Sequence, residues 1–356
     1  MIFFLCLCIS IVYAYCVGTY YHNERLSLVA FCIILFPLFS LWTLISGLQY
    51  YVGQDYPYYI EIFSGINNER YEPGFKLIIQ LCNIIGIKGQ GVYFIFYAIS
   101  FIFFALILYN IKSYDLWIYI LLYFTVSNIF NNELNIIRQC TAIYIGSYSL
   151  ILLFKNRIYK AILFWIIACF IHTSLVVLII APLFYFINKI NIKFFLIILL
   201  LSIVLSILLS IRSISSVAHY LPENYGWYLV GHINDDSSFV EKIPKYMYVP
   251  LYYFSYLFYP KLKLDPFMNH IYRYGFLFFC FRLSLLNLPI VYRLSDNFLL
   301  ISLFPLLYML SYFQKSRKYV LLTIIVIFLV LIYGAKTIIF PSGEYDYKSI
   351  LPVYIF

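Results

Sequence analysis

The chain has 356 residues, of which 64% are hydrophobic and only 11% are charged. Soluble domains are roughly 45–50% apolar and about 25% charged, so this composition excludes a soluble globular protein and indicates a helical membrane protein. The formal net charge of +9 does not indicate nucleic-acid binding, because Lys and Arg gather in short loops between apolar runs, as they do in membrane proteins. We therefore expect no nucleic-acid partner.

Five apolar runs in the first half of the chain are predicted to span the membrane, because they approach the roughly 20 residues that a helix needs to cross a bilayer core. They cover residues 1–20, 27–46, 92–110, 115–130 and 139–154. Residues 47–91 form a long polar segment, which is predicted to be an external loop. Within it, residues 75–87 are apolar but too short to span, which predicts a helix lying at the membrane interface.

The second half of the chain predicts further spans of uneven length. They cover residues 161–187, 193–211, 246–259, 271–290, 298–313 and 319–333. Residues 212–245 are predicted to form a second external loop. The run 161–187 admits two interpretations, one long tilted helix or two half-spans hinged at His172-Thr173-Ser174. The prediction is an all-α polytopic membrane domain over residues 1–356, with about twelve spans and with short or broken helices around an outward-facing cavity.

The positive-inside rule orients these spans, because cytoplasmic loops carry an excess of Lys and Arg. The basic loops at residues 155–160, 189–193, 261–263 and 315–318 are therefore predicted to be cytoplasmic. Alternation of the spans then places a set of charged and polar side chains at the outer face: Asp55, Glu72, Arg138, His172, Arg293, Asp296 and Lys348. We expect them to line one cavity that carries both arginines and carboxylates.

Four short motifs follow one another along the chain. They are Gly53-Gln54-Asp55 with Tyr58 and Tyr59 before Glu72-Pro73-Gly74-Phe75, then Arg138-Gln139 before Thr141-Ala142, then His172-Thr173-Ser174, then Tyr292-Arg293-Leu294-Ser295-Asp296-Asn297-Phe298. This series resembles the GxD…Y…EPGF, RQxxA, FHxS and late R(I/L)xxYF elements of the EpsG/Wzy-like family of polysaccharide polymerases. The departures are Ile171, where Phe is usual, and Asp296-Asn297, which replace the usual aromatic residue.

The resemblance implies both an activity and a location. Such proteins join undecaprenyl-diphosphate-linked oligosaccharide units into a surface polysaccharide, an O-antigen or an exopolysaccharide. They work in the bacterial inner membrane, with the active site facing the periplasm or the exterior. The lipid diphosphate supplies the energy, so neither a nucleotide sugar nor a cofactor is implied. The expected partners are the lipid-linked oligosaccharide and membrane lipid, and a chain-length regulator is a further candidate.

The implied reaction displaces a diphosphate from an anomeric carbon. The planar fork of an arginine suits the charge that builds on this leaving group. Arg138 is the first candidate to bind the diphosphate and Arg293 is the second, while Lys348 could add phosphate affinity. The alternative is that each arginine only pairs with a nearby carboxylate, Arg138 with Glu133 and Arg293 with Asp296.

The incoming sugar hydroxyl needs a base or a strong hydrogen-bond acceptor, and Asp55, Glu72 and His172 are the candidates. Each has a structural alternative. Asp55 can form a turn before Pro57, and Glu72 can be a charge that stabilises a helix N-terminus. His172 lies in an apolar run, where a neutral imidazole bonded to a backbone carbonyl is common.

The adjacent Asp235-Asp236 pair suggests a metal site, but a solvated surface turn explains it better, so the predicted chemistry is metal-independent. Two rival functions stay open. A lipid-linked oligosaccharide flippase or other transporter would show a pseudo-symmetric repeat, and no half-chain repeat is visible in the sequence. Another membrane transferase would act on a different acceptor, as a glycan ligase does, or reach its donor from the cytoplasm, as an O-acyltransferase does.

Overall fold

The computed structural model describes residues 1–21, 26–64, 71–112, 115–189, 191–209, 246–339 and 346–350. In this described part the regular elements are helices, apart from one isolated antiparallel bridge between Gln49 and Ser349. The all-α prediction is therefore confirmed. The predicted external loop 212–245, with Asp235 and Asp236, lies outside the described residues.

Six helices among the described residues are long and apolar enough to cross a membrane. They are Ile2–Tyr20, Leu28–Gly47, Gln90–Leu108, Ile137–Phe154, Tyr292–Lys315 and Tyr319–Ile339. The chain is thus a multi-pass membrane protein, while the predicted count of about twelve spans is not confirmed. Some predicted spans form helices that are too short: Val249–Phe258 has 10 residues, which rise about 15 Å against a core of about 30 Å.

The chain divides into two compact units. Unit 1 comprises Met1–Val176 and Phe313–Phe356, and unit 2 comprises Val177–Tyr312. The first helices of unit 1 are α1 (Ile2–Tyr20), α2 (Leu28–Gly47), α3 (Tyr56–Phe63), α4 (Pro73–Ile84), α5 (Gln90–Leu108), α6 (Leu116–Leu122), α7 (Ile129–Asn135), α8 (Ile137–Phe154) and α9 (Ile158–Ile171). The later helices are α10 (Lys193–Leu208), α11 (Val249–Phe258), α12 (Pro266–Ser284), α13 (Pro289–Ser295) and α14 (Leu299–Ser302), then α15 (Phe304–Lys315), which leads back to unit 1, and α16 (Tyr319–Gly334).

Close helix packing organises unit 1 around α5. A Cβ atom at Gly47 would lie 2.5 Å from the ring of Phe94, so glycine at this position lets the Phe94 ring of α5 pack directly on the backbone of α2. On the other side of α5, the Ser100 hydroxyl lies 3.0 Å from the Thr141 hydroxyl of α8. Helices α8 and α9 form an antiparallel pair, because a short turn at residues 155–157 joins them. The N-terminus of α8 and the C-terminus of α9 therefore lie at the same end of unit 1.

The backbone before α8 leaves the α-helical path twice. Helix α6 continues as a π-helical turn, Tyr123–Ser127, and Asn128 is left-handed with φ of +53°. Ile136 then separates α7 from α8. Such breaks are tolerated at membrane depth where neighbouring groups satisfy the freed polar atoms. Here the Tyr97 hydroxyl donates to the carbonyl of Glu133 at 3.3 Å.

A second break follows α9. This helix ends at Ile171, and His172 is extended with φ of −150° and ψ of 119°. A 3₁₀ helix, Thr173–Lys189, continues the chain. Of the two interpretations of residues 161–187, the structure therefore shows the helix that is broken at His172.

Unit 2 is held together by α10, α12 and α14. Phe195 of α10 stacks on Phe276 of α12, with ring centroids 5.5 Å apart. A Cβ atom at Gly275 would lie 2.5 Å from the carbonyl oxygen of Ile301, so α12 and α14 cross in backbone contact. Glycine at position 275 is what this crossing requires.

Candidate functional site

An ion pair joins the start of α4 to the start of α8. The Nη1 atom of Arg138 lies 2.9 Å from Oε2 of Glu72, and the two side chains are 20% and 12% exposed. Glu72 is extended because Pro73 follows it, and it directly precedes the first turn of α4. Arg138 therefore pairs with Glu72 across 66 residues, and not with its sequence neighbour Glu133.

The second carboxylate oxygen of Glu72 accepts hydrogen bonds from the chain at the break after α9. Oε1 accepts hydrogen bonds from the backbone N–H of Thr173 at 3.1 Å and from the Thr173 hydroxyl at 3.2 Å. Burial alone would raise the pKa of Glu72, but the Arg138 guanidinium and the N–H of Thr173 together hold that pKa below its ordinary value. Glu72 is thus ionised and already engaged at both oxygens, which makes it a poor general base.

Aromatic rings and the ion pair fix the orientation of Arg138. Its guanidinium carbon lies 4.9 Å from the ring centroid of Tyr71 and 5.6 Å from that of Phe75, within the range of cation–π contacts. The buried Nε–H of Arg138 has no hydrogen-bond partner among the described residues. An arginine has five N–H donors, and the ion pair with Glu72 engages Nη1, so the partly exposed guanidinium has terminal N–H donors left for an anion.

Asp55 lies close to the same cluster. Its backbone N–H donates a hydrogen bond to Oδ1 of Asn135 at 3.0 Å. Asn135 precedes Arg138 by three residues. Gly53 has φ of +79°, and a Cβ atom there would clash with the same Asn135 oxygen. Burial raises the pKa of Tyr59, the charge of Arg138 lowers it, and the charge of Asp55 raises it. Asp55 and Arg138 therefore lie within electrostatic range of one buried phenol.

Lys348 lies at this end of unit 1 but is largely exposed. Its ammonium group is 3.9 Å from Oδ2 of Asp346, with 61% of the lysine side chain exposed. Its carbonyl accepts a hydrogen bond from the N–H of Tyr50 at 2.9 Å, which fixes the tail segment beside the loop that leads to Asp55.

Arg293 belongs to unit 2, where it is exposed on α13. Its predicted ion-pair partner Asp296 pairs with Arg282, which contacts Oδ1 of Asp296 through Nη2 at 3.1 Å and through Nε at 3.2 Å. The structure thus brings Glu72, Arg138 and His172 together within unit 1, with Asp55 close to them, while Lys348 contacts the loop before Asp55. A diphosphate-binding role for Arg293 stays a prediction.

His172 lies beside this cluster, at the break after α9. It is half-buried, and its Nδ1 atom is 2.7 Å from the hydroxyl oxygen of Ser174. Burial, and after it the charge of Arg138, lower the pKa of His172 to about 4, although the charge of Glu72 opposes them. His172 is therefore neutral at physiological pH.

A buried polar network, which the sequence does not predict, lies behind the site. Glu133 is 4% exposed, and its Oε2 accepts a hydrogen bond from the Tyr144 hydroxyl at 3.0 Å. A cavity of about 20 Å³ adjoins it, which is room for about one water molecule. Glu133 and Thr43 both line this cavity, and Glu133 Oε1 and the Thr43 hydroxyl have no hydrogen-bond partner among the described residues.

Burial should make the stability of the protein depend on the protonation of Glu133. Burial raises its pKa to about 8, partly offset by the Ser100 and Tyr144 hydroxyls. A carboxyl whose pKa is higher in the folded state stabilises the fold fully below its unfolded pKa, and this contribution is lost as pH rises towards 8. We expect Glu133→Gln and the wild type to unfold at nearly the same temperature at pH 5. As the pH rises towards 8.5, the unfolding temperature of Glu133→Gln should exceed that of the wild type by a growing margin.

The measurement is thermal unfolding of both purified proteins in detergent from pH 5 to pH 9. Glu61→Gln, a change at an exposed position of α3, is the matched control and should show no such trend. A difference between Glu133→Gln and wild type that does not change with pH would contradict the assignment.

The chemistry of the cluster is that of an anion site. Arg138 and the neutral His172 offer N–H donors, while Glu72 is engaged in holding Arg138 and Thr173 in place. Among the residues that the structure describes, no group of three or more His, Cys, Asp or Glu side chains could hold a metal ion.

The comparisons with known proteins give one match. The model of the EpsG family matches residues 29–352, nearly the whole chain. No curated protein and no solved structure matches it. The matched range contains every residue of the cluster described above.

Proposed function

The chain belongs to the EpsG family of Wzy-like polysaccharide polymerases, and from this premise we propose that it joins undecaprenyl-diphosphate-linked repeat units into an O-antigen or exopolysaccharide. The observation that carries the proposal is the cluster of Arg138, Glu72 and Thr173. It presents a guanidinium with unused donors between three separate elements of a membrane protein. A lipid diphosphate is an anion that such a site suits.

Each residue of the cluster takes a distinct role in this proposal. Arg138 binds the diphosphate of the donor and stabilises the charge that grows on it as the anomeric C–O bond breaks. Glu72 and Thr173 hold Arg138 in position. Asp55 is the remaining carboxylate close to the cluster, and it takes the proton of the incoming sugar hydroxyl. Lys348 adds positive charge at the rim.

The orientation of the site follows from the charges at the other end of α8 and α9. Helix α8 has 18 residues and is about 27 Å long, so the turn with Lys155 and Arg157 lies about one bilayer thickness from Arg138. Basic turns favour the cytoplasm. We therefore place Arg138 at the periplasmic or external face of the bacterial inner membrane.

The surface of α4 supports a lipid-linked substrate. Leu77, Leu81 and Ile84 are more than half exposed along this helix, which begins directly after Glu72. We place α4 at the membrane interface, as the sequence predicts for residues 75–87. A polyprenyl carrier that lies along these side chains would present its diphosphate to Arg138.

The proposal is tested with purified protein in liposomes and the host's lipid-diphosphate-linked repeat unit alone. Without any nucleotide sugar, we expect a ladder of lipid-linked products whose lengths differ by one repeat unit. A single larger product on a different acceptor would indicate a ligase. Translocation of intact substrate across the liposome without a ladder would indicate a flippase. Either of these outcomes would overturn the proposal.

A further inference from the structure

The side chain of His172 is held in one tautomer by its own neighbour. The backbone N–H of Ser174 donates to Nδ1 of His172 at 3.2 Å, and the Ser174 hydroxyl lies 2.7 Å from the same nitrogen. A backbone N–H can only donate, so Nδ1 must carry its lone pair. In a neutral imidazole the proton is then on Nε2.

The Nε2–H group is left available for a ligand. It makes no hydrogen bond within the part of the chain that the structure describes, and the side chain is only half-buried. The next residue, Thr173, is bonded to Glu72, which in turn pairs with Arg138. The His172 donor therefore lies beside the guanidinium that we assign to the diphosphate.

We propose that His172 donates a hydrogen bond from Nε2 to the leaving diphosphate and is not the base of the reaction. This inference rests on the proposed function and deepens it. The glycosidic bond forms between the acceptor oxygen and the anomeric carbon as the bond from that carbon to the phosphate oxygen breaks. The electron pair of the broken bond stays on the diphosphate, where Arg138 and His172 stabilise it. The hydroxyl proton leaves to another base, for which Asp55 is the candidate.

Three substitutions distinguish a hydrogen-bond donor at position 172 from a general base. The Gln side chain carries an N–H donor at about the position of Nε2 and cannot act as a base, while Glu has a carboxylate that can act as a base and repels an anion. We expect His172→Gln to polymerise within about 5-fold of the wild type, His172→Ala to lose about 30-fold, and His172→Glu to lose about 100-fold or more. The assay is the initial rate of ladder formation.

If His172 were the base, the polymerisation rates of the three variants would follow a different order. Gln and Ala would then be equally inactive and Glu would retain the most activity, and this order would overturn the inference. The pH profile gives a second readout: a loss of wild-type activity as the pH falls towards about 4, absent in His172→Gln, would also count against a donor. His270→Gln, at another half-buried histidine, is the matched control and should behave as wild type.

Binding of inorganic pyrophosphate separates a failure of this inference from a failure of the proposed function. We expect the wild type and His172→Gln to bind it with similar affinity and His172→Glu to bind it at least about 10-fold more weakly. If the wild type makes no ladder but this binding order holds, the polymerase proposal fails while the donor role stands. Equal binding by all three proteins would overturn the donor role itself.

Discussion

Arg138→Ala is expected to reduce the initial rate of polymerisation by about 100-fold or more. Hydrogen bonds to charged groups contribute about 1.5–3 kcal/mol each, and every 1.4 kcal/mol or so of lost transition-state stabilisation costs about tenfold in rate. The diphosphate gains charge as it leaves, so Arg138 contributes more to the transition state than to the bound substrate. Arg138→Lys keeps the charge but loses the planar fork, so its rate should lie between those of the wild type and Arg138→Ala.

The effect of Arg138 is measured as ladder formation per mole of folded protein, with thermal unfolding as the check on folding. Arg157→Ala, in the exposed turn at the other end of α8, is the matched control and should stay within about twofold. Since Glu72 acts through Arg138, the losses of Glu72→Gln and Arg138→Ala should not add in the double variant. A stable Arg138→Ala protein with near wild-type rates would remove Arg138 from the site.

Gly74→Ala is expected to destabilise the protein and impair the site together. A Cβ atom at Gly74 would lie 2.8 Å from the backbone carbon and oxygen of Phe170, in the last turn of α9. Backbone atoms cannot rotate away, so α4 and α9 must separate, which costs about 1–3 kcal/mol for overpacking of this kind. The bonds from Thr173 to Glu72 cross the same junction, and a displacement of about 1 Å can reduce activity by about 100-fold.

The measurement pairs the thermal unfolding midpoint with the ladder rate. Gly334→Ala is the matched control, because a Cβ atom there would meet Phe4 at 3.4 Å, an ordinary van der Waals contact. That change should be neutral or stabilise slightly, since alanine loses less conformational entropy in a helix. If Gly74→Ala and Gly334→Ala unfold at the same temperature with equal activity, then α4 does not pack on α9 as described.

The sequence allows the long apolar helices to be predicted closely, because their hydropathy has no other explanation. Residues 1–20 and 27–46 match α1 and α2 to within one residue at each end. The prediction for residues 115–130 is less close, because Asn128 adopts a left-handed conformation that divides α6 and its π turn from α7. Hydropathy does not show where tertiary hydrogen bonds make such a break favourable.

Residues at the site are predicted by topology and motif, and their partners are not. Alternation of the spans places Glu72, Arg138 and His172 at the same end, and they do meet within unit 1. The pairing of Arg138 with Glu72 depends on the packing of α4 against α9, so the sequence favoured the nearer Glu133 instead. Nothing local marks Glu133 as buried, because its apolar surroundings come from α2, α5 and α8.

Unit 1 is built from two parts of the chain that are synthesised far apart in time. The whole of Val177–Tyr312 leaves the ribosome between them. Until α16 and the tail segment follow, Asn131 lacks the Tyr333 hydroxyl that donates to it at 2.8 Å, and the carbonyl of Ile45 lacks the Tyr347 hydroxyl, also at 2.8 Å. Before the late segment arrives, these two buried acceptors therefore lack the hydroxyl donors that they have in the complete unit. Arrival of the late segment is the step that completes this end of the protein.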